Sequence, residues 1–491
     1  MIPEPKPETA VPAERAGHMV EMQSIDWVPL HQRHGSAWTI TPFFFISNWT
    51  FFTIALGFTG PALGLSFGWS VVSGLAGMVF GTIFMASHAT QGPHMGLPQI
   101  IQSRAQFGFY GAGIAIVMAV ACYVGFGVVY TVLTTGGLKN LFGWSPLIVG
   151  VAINGVGAVL AVIGHDALHR VSRIMFYITL PLFAIFTVAV LFGSGGPMPT
   201  VAPGGFGWAA FASQFAVAAA YNIALAPIVS DYTRYLPSTT RPRTLIASVY
   251  AGTGLSATWL MTLGSWLATR FGASDALVSI TTAGEGLMHG AGLVLAVASV
   301  ATLVVCLGSF AYSVALQVLT ATNMFGHNGD RRSRVVVSVG AVVVWSSIAI
   351  PFGDHVVGVA SGALSLMLFL LVPWTSINLT DYFIVRKKQY SIGDILDKDG
   401  QYGRWSVRGI SAYVIGFVSM LPFASLQFYE GFAAKAIGGV DISFLVGLIV
   451  SATVYVSLSV ILTASRRSEM TSQEKGAADF LVSGEASAIA D

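Results

Sequence analysis

Apolar residues run through this chain in long blocks, not in alternation. No Asp, Glu, Lys or Arg occurs between Arg33 and Arg104, from Ile174 to Ser230, from Thr244 to Thr269, or from Gly286 to Gly329. Each block holds one or two segments of the ~20 apolar residues needed to cross a bilayer core. Backbone groups in lipid must be satisfied within their own segment, so the blocks predict helices. The predicted spans are 39–65, 68–90, 112–138, 145–164, 172–194, 208–229, 244–269, 290–323, 335–352, 356–384, 409–428 and 441–464. The pattern predicts an all-α polytopic membrane protein of about twelve crossings.

Charge gives these spans an orientation. With the N-terminus in the cytoplasm, 21 of the 24 basic residues fall in cytoplasmic loops or tails, and only Lys139, Arg270 and Lys435 lie outside. That asymmetry is the positive-inside pattern, and a wrong span count would scramble it. The expected location is a plasma (inner) membrane with both termini cytoplasmic. Of the 491 residues 54% are hydrophobic and 9% charged, with a mean hydropathy of +0.72, too few charges to cover a water-facing surface. A net charge of +2 without a basic stripe gives no footprint for nucleic acid. The Pro- and Glu-rich start predicts a disordered cytoplasmic tail over 1–37, and the polar end predicts another over 466–491, with a transporter domain over 38–465 between them.

Polar and helix-breaking residues fall where a transport site needs them. The first span reads SNWTFFTIALGFTGPALG, with Asn48, Trp49, Thr50 and Thr53 ahead of Gly57, Gly60 and Pro61. The sixth reads AAAYNIALAPIVSDYTRYLP, with Asn222 and Pro227 in an otherwise apolar helix. Proline removes a helical N–H and frees a carbonyl. Interrupted helices at matching positions of two repeats point to a binding site at the bilayer midplane. The repeats run over about 39–195 and 208–385, with extra helices over about 409–464. The alternatives of another class are a substrate-gated channel, which would need a polar stripe or charged ring that is not visible, and a receptor built on a transporter scaffold.

Five stretches carry a resemblance. GPHMGLPQIIQSRAQFGFYG (92–111), SDYTRYLP (230–237), GHDALHRVSR (164–173) and the pair DYFIVRKKQY (381–390) and GQYGRWSVRG (400–409) resemble the signature loops of the purine–cytosine permeases in the nucleobase–cation symporter family. The resemblance extends from about Trp38 to Thr463. It implies a leucine-transporter-like inverted repeat of five plus five helices with two more at the C-terminus. It also implies a secondary transporter, not an enzyme, needing no cofactor, no metal and no obligate protein partner beyond substrate, coupling cation and lipid.

The spans carry no charged residue near their centres, so the substrate is expected to be neutral, since uncompensated burial of charge costs several kcal/mol. Available instead are Asn48, Trp49, Thr53, Tyr123, Phe126, Tyr130, Asn222, Ser309, Ser313 and Gln317. Amides, hydroxyls and rings suit a flat heterocycle with donors and acceptors on its rim. By position the resemblance adds Phe126 as the stacking aromatic and Ala224 as a sixth-span contact, and it places Phe310 where an Asn is frequent. It implies purine or cytosine as substrate, with hydantoin, allantoin, uracil or a vitamin-like heterocycle as alternatives. Sodium-coupled relatives hold the ion between carbonyls of the first span and two adjacent eighth-span hydroxyls. Here the matching pair is Gly308 and Ser309, with Ser313 a turn away, so Ser309 and Ser313 are the expected cation ligands if the ion is Na+ and not H+. Arg104, Asp231 and Arg234, at cytoplasmic boundaries, are expected to lock the fold or gate the inner side. His165 and His169 mimic a zinc spacing, but Asp166 stands where the motif has Glu and a third ligand is lacking.

Overall fold

Helix is what the apolar runs deliver almost throughout. The computed structural model describes residues 25–192, 204–272, 275–327, 330–352, 356–426 and 429–462. The leading span is two helices, α1 (Thr41–Asn48) and α2 (Phe51–Leu56), with a 61° bend across the break. There follow α3 (Phe67–Ala89), α4 (Gly113–Phe142), α5 (Pro146–Ile163) and α6 (His165–Phe192). The second half opens with α7 (Trp208–Ile223) and α8 (Ala226–Thr233). Next, a helix over Pro242–Val249 passes through a wide turn, Tyr250–Gly254, into α9 (Leu255–Phe271). The remaining spans are α10 (Ala291–Asn323), α11 (Arg331–Ala349), α12 (Val356–Thr380), α13 (Val407–Met420) and α14 (Ser443–Leu462). Among the described residues eight helices are long and apolar enough to cross a membrane, nine with the bent first pair, and shorter apolar helices cover Phe369–Val385 and Val407–Phe423. Twelve crossings are consistent with this set.

Packing sorts the spans into two groups. α3 lies along α7 and also touches α9, and α2 lies against α9, so spans one, two, six and seven form one body. α10 packs on α4 and α5, and α11 on the same pair, so spans three, four, eight and nine form the other. Each body draws the matching positions from the two halves, as an inverted repeat requires. Small residues permit the closest approaches: a Cβ added at Gly77 or Gly81 would strike the carbonyls of Phe215 and Ala219 on α7. Gly264 meets Ile54 on α2 in the same way.

The N-terminal boundary needs correction. Residues 25–37, expected to belong to a disordered tail, are packed. The Val28 amide donates to the Gly96 carbonyl, and the buried Arg33 guanidinium donates to the carbonyls of Val28 and Pro93. The Arg33 head also lies 5.5 Å from the centroid of the Trp27 ring. These donors tie the segment to the loop after α3. The remainder of that expected tail, 1–24, and the whole of the one over 466–491 lie outside the described residues.

Candidate functional site

At the first break the backbone leaves the helix after Asn48, with Trp49 at φ −87°, ψ 64° and Thr50 extended. Side chains then restore what the backbone loses. The Thr53 hydroxyl donates to the Asn48 carbonyl at 2.6 Å and lies 2.9 Å from the Tyr221 hydroxyl. The Asn48 amide donates to Asn222 Oδ1 at 2.6 Å, and the Asn222 amide donates in turn to Thr82 Oγ1 at 2.7 Å. The two interrupted spans are thus joined through their asparagines. On α7–α8, Pro227 lacks the N–H that would complete the helical turn. The Tyr123 hydroxyl of α4 donates to the Ala224 carbonyl at 3.0 Å, supplying a partner at this interruption.

Beside these amides stands a wall of rings. Phe126 and Phe310 stack at 5.2 Å and 18°, and Tyr123 stacks on Phe310 at 5.7 Å and 23°. Phe52 closes an edge against Phe126 and Tyr130, and the Tyr130 hydroxyl lies 3.2 Å from that of Tyr221. All these rings are buried, and none of these side chains is charged. Asn48 Oδ1 is buried without a hydrogen-bond partner, which leaves polar capacity for a ligand's rim, and both amide atoms of Gln317, two turns along α10 from Phe310, are likewise without one.

Asn48, Thr53, Tyr123, Phe126, Tyr130, Asn222, Ala224 and Phe310 are therefore gathered in one place. Trp49 is not, because the break turns its indole away from the stack, among Phe45, Phe183 and Trp259. The two serines do not form a cage with α1. Ser309 Oγ donates back to the Val305 carbonyl, and Ser313 Oγ lies 3.4 Å from the Tyr232 hydroxyl. Gly308 faces Gly157 and Leu160 of α5. The α10 side chain that reaches the carbonyls at the end of α1 is Cys306, whose thiol lies 3.5 Å from the oxygens of both Ile46 and Ser47.

Three participants were missed from the sequence. Tyr221 and Phe52 sit beside residues already singled out, and adjacency to Asn222 and Thr53 was their available signal. Thr82 was hidden among the small residues of α3. A polar network below the site was missed too. Gln99 Nε2 donates to His88 Nδ1 at 3.2 Å, so His88 carries its proton on Nε2 and donates it to Thr375 at 2.7 Å. From Gln99 the chain runs through Gln91, Asn378 and Gln106 to Asp381, which also accepts from Tyr390 and Tyr455.

The boundary residues hold loops to helix ends. Arg104 is buried, donates to Asn323 Oδ1 at 3.2 Å and lies 4.1 Å from the Phe109 ring centroid. Burial lowers its pKa to about 10, so it stays a cation at neutral pH. Asp231 accepts from the Gln99 amide, while Arg234 donates to the Asp26 carbonyl and the Tyr235 hydroxyl.

Residues 27–447 match the profile of the family described as permease for cytosine/purines, uracil, thiamine, allantoin. The chain is 31% identical over 461 residues to a putative purine-cytosine permease, YxlA, of Bacillus subtilis, covering 89% of this chain and 95% of that one. It is 29% identical over 234 residues to the purine-cytosine permease FCY2 of Saccharomyces cerevisiae, covering 45% and 43%. Its fold superposes on Mhp1, a nucleobase-cation-symport-1 family transporter solved closed with bromovinylhydantoin bound, at TM-score 0.72 and 15% identity, over 91% and 97% of the two chains. A Na+-coupled sialic acid symporter shares the fold at TM-score 0.60 and 12% identity, over 88% and 91%. With a full-length relative above 30% identity and the profile spanning both repeats, this multi-pass membrane protein belongs to the purine–cytosine permease branch of the nucleobase–cation symporters.

Proposed function

We propose that this chain imports a neutral nucleobase, purine or cytosine, across the plasma (inner) membrane by cation-coupled alternating access, with both termini in the cytoplasm. One observation carries the reading: a stacked aromatic wall, Phe126 with Phe310 and Tyr123, stands beside amides contributed by both interrupted spans, without a charged side chain. Phe310 lies on Phe126 as a planar ligand would, and a base entering the site takes that face. Asn48 Oδ1, buried without a hydrogen-bond partner, is the amide group open to its rim. A hydantoin, the class of compound bound to Mhp1, is the alternative substrate class, since it offers the same flat, neutral rim. The test is uptake of radiolabelled adenine, hypoxanthine, cytosine, uracil, allantoin and a benzylhydantoin by cells expressing the chain. Uptake of none of the purines or cytosine would sink the reading.

The coupling ion has two readings. Sodium would take the Ile46 and Ser47 carbonyls with the hydroxyls of Ser309 and Ser313, which requires the Cys306 thiol to turn aside. A proton is favoured by the thiol itself, a donor aimed at the oxygens a metal cation would need. Proteoliposomes under separately imposed gradients separate the two. Accumulation with a proton gradient and no sodium removes the sodium reading. If sodium drives uptake, Ser309→Ala raises the sodium concentration for half-maximal rate, whereas Cys306→Ala lowers it.

A further inference from the structure

A cavity of about 370 Å³ lies at the cytoplasmic start of α6, lined by His165, His169, Arg170, Arg173, Tyr232 and Tyr235 among others. It falls within the ~300–1,000 Å³ range of small-ligand pockets. The Phe43–Tyr232 contact, with centroids 4.2 Å apart, closes it from the α10 serines, whose level the Tyr232 hydroxyl reaches. The cavity is therefore separate from the aromatic wall above.

Its chemistry is also different. His165 and His169 lie one turn apart with rings 4.3 Å from each other, and Tyr235 lies 4.3 Å from His165. Arg170 and Arg173 stand exposed at the rim, and His169 Nε2 is buried without a partner. Asp166, the one carboxylate among the lining residues, lies 3.2 Å from His165 Nδ1. Among the described residues no three His, Cys, Asp or Glu side chains converge to hold a metal ion. Two guanidiniums gain nothing from a neutral base passing through. They suit an anion with several acceptor oxygens, and ring walls suit a flat group joined to it.

We propose that this vestibule is a cytoplasmic binding site for a phosphomonoester, and that its ring-lined wall favours a nucleoside monophosphate over free phosphate. The role assigned to that ligand rests on the proposed transport of a neutral base. A reaction that attaches a charged group to such a base traps it inside, and the phosphorylated product of that class of reaction would return to this mouth. An occupant held by α6 on one side and by Tyr232 and Tyr235 on the other ties the two together, so it holds the inner side shut and slows import.

The test uses the purified full chain in neutral-lipid nanodiscs, titrated with adenosine monophosphate, inorganic phosphate and adenosine while thermal stability is read. Adenosine monophosphate is expected to bind saturably, phosphate to compete more weakly, and adenosine to be inert at the same concentration. R170Q combined with R173Q lowers nucleotide affinity about tenfold or more, the worth of one charge-assisted hydrogen bond. The paired lysine substitutions at the same positions keep most of the affinity, which guards against a folding defect. Absence of binding by both phosphates, or undiminished affinity in the double Gln variant, overturns the proposal. So does stabilisation that appears only in anionic-lipid nanodiscs, which would assign the rim to the bilayer surface. Because binding is read without transport, failure of the nucleobase reading would show in the uptake panel and leave this result unaltered.

Discussion

Between α1 and α2 the backbone leaves helical angles outright, whereas between α7 and α8 it keeps them, with Ala224 at φ −65°, ψ −18° and Leu225 at φ −90°, ψ −8°. The first span turns by 61°, while the sixth is continuous enough to read as one span, Trp208–Thr233. The first break is held by side chains: Thr53 covers the Asn48 carbonyl, and the Asn48 amide ties the break to α7. The sixth is held by the missing N–H of Pro227 and by the Tyr123 hydroxyl on the Ala224 carbonyl. The two repeats thus present polar groups by different means, one by reshaping the chain and the other by loosening its ladder, where the Leu225 and Ile228 amides reach back only to Asn222 and Leu225. Removing side chains at the first break should then cost more than mending the second.

The largest expected effect is at Asn48. Asn48→Leu leaves Asn222 Oδ1 buried without its donor, and an orphaned buried polar group costs about 1–3 kcal/mol. Uptake per molecule at the surface is expected to fall at least about tenfold. Asn222→Leu leaves the Asn48 amide its longer bond to the Thr253 carbonyl, at 3.4 Å, and Thr82 its bond to the Met78 carbonyl, so it is expected chiefly to alter which bases compete for uptake. A larger loss at Asn222 than at Asn48 would reverse the comparison.

Next comes the ring wall that both breaks face. Phe126→Ala is expected to weaken apparent affinity by about 1–3 kcal/mol, the worth of a stacking platform for a base. Phe126→Trp should be tolerated far better, because it keeps a ring face. Equal, unimpaired uptake in both variants would remove Phe126 from the site.

How much of this was open to sequence reasoning follows from the same contrast. Charge-free runs announced the spans, since every charge in lipid is costly. Asn48, Asn222 and Phe126 were legible as polar or aromatic groups beside breakers. The direction of Trp49 was not, because one residue at a break in the backbone decides which side of the helix follows. Thr82 and His88 were invisible because their partners lie 140 and 287 residues away. The packing of residues 25–37 was concealed by the Pro- and Glu-rich stretch before it, although Trp27, Val28 and Arg33 carried the necessary apolar and donor groups. Cys306 lies in an apolar run that gives it no signal in the sequence, and only the position of the Ile46 and Ser47 carbonyls gives its thiol a role.

A smaller effect is expected at the hydroxyl that serves the sixth span. Tyr123→Phe keeps the ring in the stack and removes only the donor to the Ala224 carbonyl. The expected loss is about 1 kcal/mol in thermal stability or apparent affinity, the net worth of one hydrogen bond. A loss as large as that at Asn48 would mean that the Ala224 carbonyl must be held for binding, and the two breaks would then be energetically alike.

The smallest effect is expected at Pro227. Pro227→Ala restores an N–H at a position whose neighbours already have helical angles, so the ladder can close without moving α7 against α8. Alanine also favours the helix, so the melting temperature of the purified protein should stay level or rise slightly. Uptake should change by less than about threefold, which corresponds to under ~1 kcal/mol. If uptake collapses while the melting temperature holds, the gap at Pro227 is a hinge that the transport cycle opens further. The sixth span would then be as thoroughly broken in another state as the first is in this one.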